Sequence, residues 1–382
     1  MRNTKHTGMN MSLIKKQNRS SILNYICEVG PVSRKDISDA TGLTPASVTQ
    51  ITNQLMDEGI LEEIGTNSES NKAGRKKVLC DIKYDSEYLF AINIEAEITT
   101  IALSDLKGNC IEKINIQTDN RIGAEDFLKK IAVLVDKIRE SQKKIKRCNI
   151  KVISVGICGL VDREEGISVH AYGVWDDPVN VCEILENETG YKTYIDNNVD
   201  AFAKAEILYG MGRKRDDFLL IKWGPGVGAT IVIGREVYAG RHGKSAELGH
   251  FIVEQNGKVC SCGRRGCLET KVSYHAMQEI KPFQVGAFGD CVRNASGREK
   301  ELFDEVLDLF ARTIVNSATI LAPEKIVLSG KLFSDSDIRK KVIDFCMSYD
   351  KKIDVNRVLY TSLSEMEDYI GPVASYVSEV IF

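Results

Sequence analysis

Several features that would settle the class of a chain early are missing from this sequence. No apolar run approaches the roughly 20 residues a membrane helix needs, which excludes a helical span and leaves no membrane partner. No apolar signal segment stands near the N-terminus, so the expected location is the cytoplasm, where thiols stay reduced. There is no internal repeat, against a solenoid, and no low-complexity segment, against a disordered linker protein. An isolated Cys-x-x-Cys is also missing, which makes thiol redox chemistry the lesser alternative for the cysteines that are present. With 382 residues the chain can bury two or three cores, so it does not need disulfide staples.

Eight of the eleven cysteines are dispersed singly, but Cys260, Cys262 and Cys267 crowd together within GHFIVEQNGKVCSCGRRGCLET (249–270) and look like metal ligands. The spacing Cys260-x-Cys262-x₄-Cys267 leaves no room for a finger helix between ligand pairs, against a DNA-reading zinc finger. The net charge of −3 hides an asymmetry: through Cys80 there are 11 Lys and Arg against 8 Asp and Glu, and beyond it 40 against 46. A basic front on an acidic body suits nucleic-acid contact at one end only.

The front end supplies the element for that contact. From Asn18 the stripe Ile22, Leu23, Ile26, Val29 predicts a helix that Gly30-Pro31 ends. Ser33 with Asp36 approximates a capping box for a short helix, and Gly42 makes the turn. Thr44 caps a second helix with Pro45 at its first position, burying Val48, Ile51 and Leu55. This is a helix-turn-helix; strands over 60–64 and 78–81 around the basic loop GTNSESNKAGRKK make a wing. A small protein-binding domain with a solvated loop is the bland alternative. The candidate DNA-contacting residues are Ser33, Thr44, Pro45, Ala46, Ser47, Thr49, Gln50 and Asn53, with Arg75 and Lys76 on the wing reaching phosphate or the minor groove. Residues 1–11 are polar and read either as a disordered arm or as nothing of consequence.

After Tyr84 strands and helices alternate: three strands across 88–118, an amphipathic helix over 124–138, a buried strand running into GICGLVD, a strand-to-helix passage at IDNNVDA, a hairpin at FLLIKWGPGVGATIVIG, and a long helix over 302–321 leading to KIVLSG. That alternation predicts an α/β body with ligands at its loops. GPGVG (224–228) is an anion or sugar loop or a plain tight hairpin; DNN (196–198) is a ligand-binding strand end or a helix cap. Glu247, His250 and Glu269 flank the cysteines, where carboxylates accept hydrogen bonds from hydroxyls.

Together these residues resemble the ROK (repressor, open reading frame, kinase) family of bacterial sugar kinases and sugar-responsive repressors. ELGH (247–250), GKVCSCGRRGCLE (257–269) and GICGLVD (156–162, with Cys158 and Leu160 in place of prolines) carry the resemblance, in order along nearly the whole chain. It implies a winged helix-turn-helix (1–80) followed by an actin-like, ribonuclease H-like two-lobed α/β domain, the smaller lobe over 81–200 and the larger over 201–382. It further implies a monosaccharide contacted by Asn197, Asn198, Glu247, His250 and Glu269, and a structural zinc held by His250, Cys260, Cys262 and Cys267. One imidazole nitrogen would hold zinc and the other face the sugar.

The kinase half of the resemblance is damaged in four places. Asn198 stands where the kinases carry the aspartate base, NIEAE (93–97) replaces a glycine-rich phosphate hairpin with carboxylates expected to repel anions, Gly224-Pro225-Gly226 replaces Gly-Thr-Gly, and LSGK (328–331) lacks a second glycine. The expectation is a non-enzymatic repressor, dimeric or a dimer of dimers, on a pseudo-palindromic operator, with xylose as first effector. A kinase or bifunctional kinase-regulator, a repressor governed by a protein partner, and an activator are the alternatives. The loop HAYGVWDDP (170–178) lies near the pocket without an assigned place, and Trp175 reads as a core residue.

Overall fold

A computed structural model describes residues 11–66, 77–142, 145–146, 149–240 and 246–382. Helix α1 (Met11–Val29) starts seven residues before Asn18, where the helix was expected, because its first turns are exposed and carry no periodic signal; residues 1–10 of the expected arm lie outside the described residues. Gly30, at φ 88°, ends it. Strand β1 (Val32–Ser33) leads into α2 (Arg34–Thr41), where the Ser33–Asp36 capping box forms in full. Gly42, at φ 70°, takes the left-handed turn that a side chain would strain, and α3 (Pro45–Asp57) follows, its N-cap Thr44 accepting from the Ser47 amide. Strands β2 (Leu61–Thr66) and β3 (Val78–Ile82) pair antiparallel as the wing, with β1 on the far side of β3.

The first large sheet has the order β11-β7-β4-β5-β6. Strands β4 (Tyr88–Ile94), β5 (Ile98–Asp105) and β6 (Cys110–Gln117) form an antiparallel meander; α4 (Ala124–Ser141) then crosses to β7 (Ile150–Ile157), parallel to β4. A small antiparallel sheet of β8 (Leu160–Asp162), β9 (Ile167–His170) and β10 (Val179–Asn180) intervenes before α5 (Val181–Thr189) and β11 (Lys192–Asn197). Alternation along β4 sorts the faces: Phe90, Ile92 and Ile94 bury against α4 and α5, whereas Leu89 and Ala91 join the opposite core.

Helix α6 (Asn198–Tyr209) carries the chain to the second sheet, of order β14-β13-β12-β15-β16. Its strands are β12 (Phe218–Trp223), β13 (Val227–Ile233), β14 (Glu236–Val237), β15 (Lys325–Ser329) and β16 (Val358–Tyr360); β12, β15 and β16 run parallel. Between them lie α7 (Glu269–Val272), α8 (Tyr274–Gln278), α9 (Phe288–Arg293), α10 (Gly297–Leu321) and α11 (Ser336–Tyr349). The last helix, α12 (Ile370–Tyr376), returns to pack on α6, β4 and β7. The result is the two-sheet, actin-like α/β body with an N-terminal winged helix-turn-helix. No helix among the described residues is long and apolar enough to cross a membrane.

Two hydrophobic cores straddle β12. Phe218 and Leu220 face α6 and share a continuous core with Ile22, Leu23 and Ile26 of α1, so the front unit has no hydrophobic boundary with the body. Trp223 points the other way, fully buried, stacked on Phe310 at 4.7 Å between centroids and edge-on to Phe288 and Phe333. Its indole nitrogen donates to the Val272 carbonyl at 2.6 Å. Trp223→Ala removes this packing and that bond; the expected loss is about 3–5 kcal/mol, read as a lower urea midpoint by circular dichroism. A midpoint within the error of wild type would contradict the assignment of Trp223 as keystone of this core.

Candidate functional site

A cavity of about 430 Å³ opens between the two sheets, at the ends of β4, β11 and β12. Asn197 and Asn198 sit at its floor where β11 turns into α6. Asn197 is the helix cap: its side-chain oxygen takes the Val199 and Asp200 amides at 2.8 and 3.0 Å, and its Nδ2 donates to the Gly159 carbonyl at 2.8 Å. Gly159, at φ 98°, has to be glycine here because a Cβ would run into the His170 carbonyl. Asn198 is buried and donates through Nδ2 to Glu95 Oε1 at 3.2 Å.

Glu95 is where the sequence reading needs revision. Its carboxylate was expected to repel anions, yet Lys222 Nζ lies 2.5 Å from Oε1 and the Asn93 amide 3.2 Å from it. Burial alone would raise the Glu95 pKa; Lys222 and the two asparagine amides outweigh it and hold the group below the ordinary carboxylate range. The space is filled by a paired charge instead of lined by a free one.

On the opposite wall Glu247 precedes a single 3₁₀ turn, Leu248–His250. The His250 ring is buried, with Nδ1 at 3.5 Å from Cys260 Sγ and Nε2 at 3.7 Å from Glu247 Oε2. Burial, and then Arg264, hold its pKa below the usual imidazole range. Glu269 opens α7 and accepts the Val227 amide at 3.1 Å through Oε2; burial pushes its pKa up. All five residues expected to face a ligand therefore border one cavity.

The four expected metal ligands also converge. Their donor atoms lie within 4.8 Å of one another, with Cys262 and Cys267 sulfurs 3.6 Å apart. That separation is far beyond the roughly 2.05 Å of a disulfide and near the edge of a tetrahedron with metal–sulfur bonds of about 2.3 Å. The group can hold a metal ion.

In the front unit the outer face of α3 is uncharged and open. Thr44, Pro45, Ala46, Thr49, Gln50 and Asn53 are exposed and Ser47 is half-buried, while Asn53 Oδ1 is held by Arg34 at 3.1 Å. Ser33 is a correction: it is 4% exposed and its hydroxyl is committed to Asp36, so it caps α2 and has nothing to offer DNA. Arg75 and Lys76 lie outside the described residues.

Residues 89–375 match the ROK family, and residues 16–62 match a winged helix-turn-helix DNA-binding family. The chain belongs to the ROK family. Among relatives it is similar to the DNA-binding transcriptional dual regulator NagC of Escherichia coli (strain K12), 26% identical over 357 residues, covering 89% of this chain and 86% of that protein. It is also similar to the xylose repressor of Bacillus subtilis (strain 168), 27% identical over 270 residues, covering 70% of this chain and 68% of that protein. A solved structure of a ROK family transcriptional regulator, described as a homolog of the E. coli MLC protein, superposes with a TM-score of 0.78 at 23% identity, covering 96% of this chain and 97% of that one. At that identity the likeness is one of fold.

Sequence reasoning missed three pocket residues of this ROK chain. Tyr172 comes from the loop that had no assigned place and stands edge-on to His250 with centroids 5.6 Å apart; Trp175 of the same loop is half-buried against the first-sheet core, as expected. Lys222 sits in a strand that reads as apolar, and its one signal was a lone charge in FLLIKW. Asp200 was hidden as an ordinary first-turn acid; burial and the neighbouring Asp196 push it up to about 6.

Beside Lys222, Glu367 has a buried oxygen without a hydrogen-bond partner among the described residues. Burial, the largest cause, pushes its pKa up to about 7 against the attraction of Lys222. The folded protein therefore keeps this proton where the unfolded chain, with a carboxyl near 4.5, has lost it. Stability from this group is present below the unfolded value and declines as pH rises towards about 7. Glu367→Gln is expected to remove that decline, flattening the urea midpoint between pH 5 and pH 8. An unchanged slope in the variant would refute a buried neutral carboxyl.

Proposed function

We propose that this protein is a sugar-responsive transcriptional repressor of carbohydrate-utilisation genes that has lost kinase chemistry. The observation that carries the proposal is the Asn198–Glu95–Lys222 cluster. A sugar kinase needs a base to take the attacking hydroxyl's proton, and an amide at 198 cannot accept it. The hairpin that resembles the kinase phosphate site is closed by its own ion pair, so a nucleotide phosphate entering there would have to break it. The wall formed by Glu247, His250 and Glu269 keeps acceptors for hydroxyl groups. Binding is retained where catalysis is not.

Operator DNA would be read by the open face of α3, at residues Thr44 to Ala46, Ser47, Thr49, Gln50 and Asn53, with Arg75 and Lys76 on backbone or minor groove. Two copies related by a two-fold axis would suit a pseudo-palindromic site. In this reading the chain divides into residues 1–80, 81–200 and 201–382, all in the cytoplasm. The relatives' names mention no common sugar, and xylose remains the first candidate. The test is anisotropy of labelled promoter DNA with xylose, glucose, N-acetylglucosamine or N-acetylmannosamine, alongside calorimetry and an ATP-turnover assay. One sugar should weaken DNA binding by about 100-fold, a typical coupling for such systems, with no sugar-dependent ATP consumption. Turnover, or no sugar bound by calorimetry, would sink the proposal.

The metal proposed is zinc, held by the thiolates of Cys260, Cys262 and Cys267 and by His250 Nδ1. When bound it supplies a closed four-coordinate brace and no open position for chemistry. His250 Nε2 is thereby left facing Glu247 and the cavity. Cys262→Ser is expected to lower zinc content by mass spectrometry and to reduce sugar affinity at least about tenfold. Full zinc and full sugar affinity in that variant would remove the brace from the account.

A further inference from the structure

We propose that Lys204 is a positioning residue that couples the cavity to the recognition helix through the chain's last turn. This rests on the sugar-responsive reading above. Lys204 lies in the middle of α6, its side chain 6% exposed, with Nζ at 2.8 Å from Asp196 Oδ2 and 2.6 Å from Glu379 Oε1. Asp196 immediately precedes Asn197 and takes that residue's backbone amide at 2.8 Å. Arg163 ties it at 2.5 Å, and binds Asp200 at 2.7 Å on the cavity's edge. The sugar-facing turn and Lys204 thus share one carboxylate.

The other end of the link reaches DNA-binding elements. Glu379 belongs to the terminal turn Val377–Ile381, and the Ile381 carbonyl accepts Arg19 Nε at 3.3 Å and Nη2 at 3.1 Å. Arg19 of α1 extends its remaining nitrogen, Nη1, to Glu58 Oε2 at 2.5 Å. Glu58 directly follows α3 and also accepts Gln54 Nε2 at 2.9 Å, on the recognition helix itself. The side chains of Asp196, Lys204, Glu379, Arg19, Glu58 and Gln54, with the Ile381 carbonyl between Glu379 and Arg19, therefore form a contact series from Asn197's support to the end of α3, buried at its Asp196–Lys204 end and partly exposed from Glu379 onward.

The physical reason that this series transmits movement lies in its buried Asp196–Lys204 pair. Separating Lys204 from Asp196 would leave a buried charge unpaired, which is strongly destabilising; Glu379, its side chain 56% exposed, joins Lys204 from the solvent side. A ligand that shifts the β11–α6 turn moves Asp196, and Lys204 must follow or be stranded. Glu379 and the terminal turn then follow Lys204. A ligand acts only through its preference for one of the two arrangements, and the shared charges make those arrangements discrete.

The experiment uses the full chain with Glu379→Ala, Arg19→Ala and the double variant, none of which lines the cavity or the open face of α3. Calorimetry with the monosaccharide that binds wild type should give affinities within about threefold of it, while the sugar's effect on promoter-DNA affinity falls about tenfold or more in each. Links in series predict that the double variant loses no more than the worse single one. Both variants responding like wild type would overturn the proposal. Hydrogen exchange without any sugar gives a second, independent reading: Glu379→Ala should raise exchange in α1 and at residues 54–59. Unchanged exchange there overturns the link even if wild type binds no monosaccharide, a result that by itself would refute only the sugar reading.

Discussion

The burial of α6 is the constraint on which the rest of the molecule depends. Ten of its twelve residues are buried, so it must satisfy neighbours on every side: the first sheet, β13, α12 and α1. Ala201, Ala203 and Ala205 let those neighbours approach, and the three ionisable residues Asp200, Lys204 and Glu206 each find a partner. A helix of twelve residues spans about 18 Å. Its first turn borders the cavity, and its penultimate residue, Leu208, accepts the Cys27 thiol of α1 at 3.4 Å. The location of the ligand site and the attachment of the DNA-binding unit are therefore set by one rod.

The Glu95–Lys222 pair occupies the β4 hairpin at little structural cost. Either residue alone would be an unpaired charge in a mostly enclosed site, a destabilising change of about 3–5 kcal/mol. Together with Asn93 and Asn198 they make a neutral, hydrogen-bonded plug that leaves β4 and β12 undisturbed. The Asn198 amide belongs to this plug as donor, a role the carboxylate of a kinase base could not take beside Glu95. In the proposed reading without kinase chemistry, the amide at 198 and the ion pair in the hairpin are thus one rearrangement seen from two residues.

Much of this was legible from particular patterns. The Ser33–Asp36 and Thr44–Pro45 signals found the two helices of the front unit because caps are local chemistry, and the crowded cysteines with His250 found their cluster because close spacing alone forces the donors near one another. What stayed hidden has a common cause. Tyr172, Lys222 and the Lys204–Glu379 pair derive their meaning from partners 40 or more residues away on other elements, or from chain that returns from the far end; a lysine in an apolar strand or helix gives no hint of which carboxylate receives it. Ser33 failed in the reverse sense, since the hydroxyl that marks a cap is consumed by making it.

The tight seam between the front unit and the body bears on how regulation must work. A flexible tether would let each half equilibrate alone and would pass on only the effective concentration of one near the other. Here α1 shares an apolar core with α6 and the terminal residues, Arg213 donates to the Cys27 and Glu28 carbonyls, and Arg19 binds the last turn. Any rearrangement of the two sheets about the cavity must carry α1 with it or pull apart a close-packed interior, and packed interiors switch between discrete arrangements more readily than they stretch. The recognition helix shares the apolar core of Ile22, Leu23, Ile37, Val48 and Leu55 with α1 and packs on α2, which in turn packs on α1, so a displacement of α1 has no slack interface to absorb it.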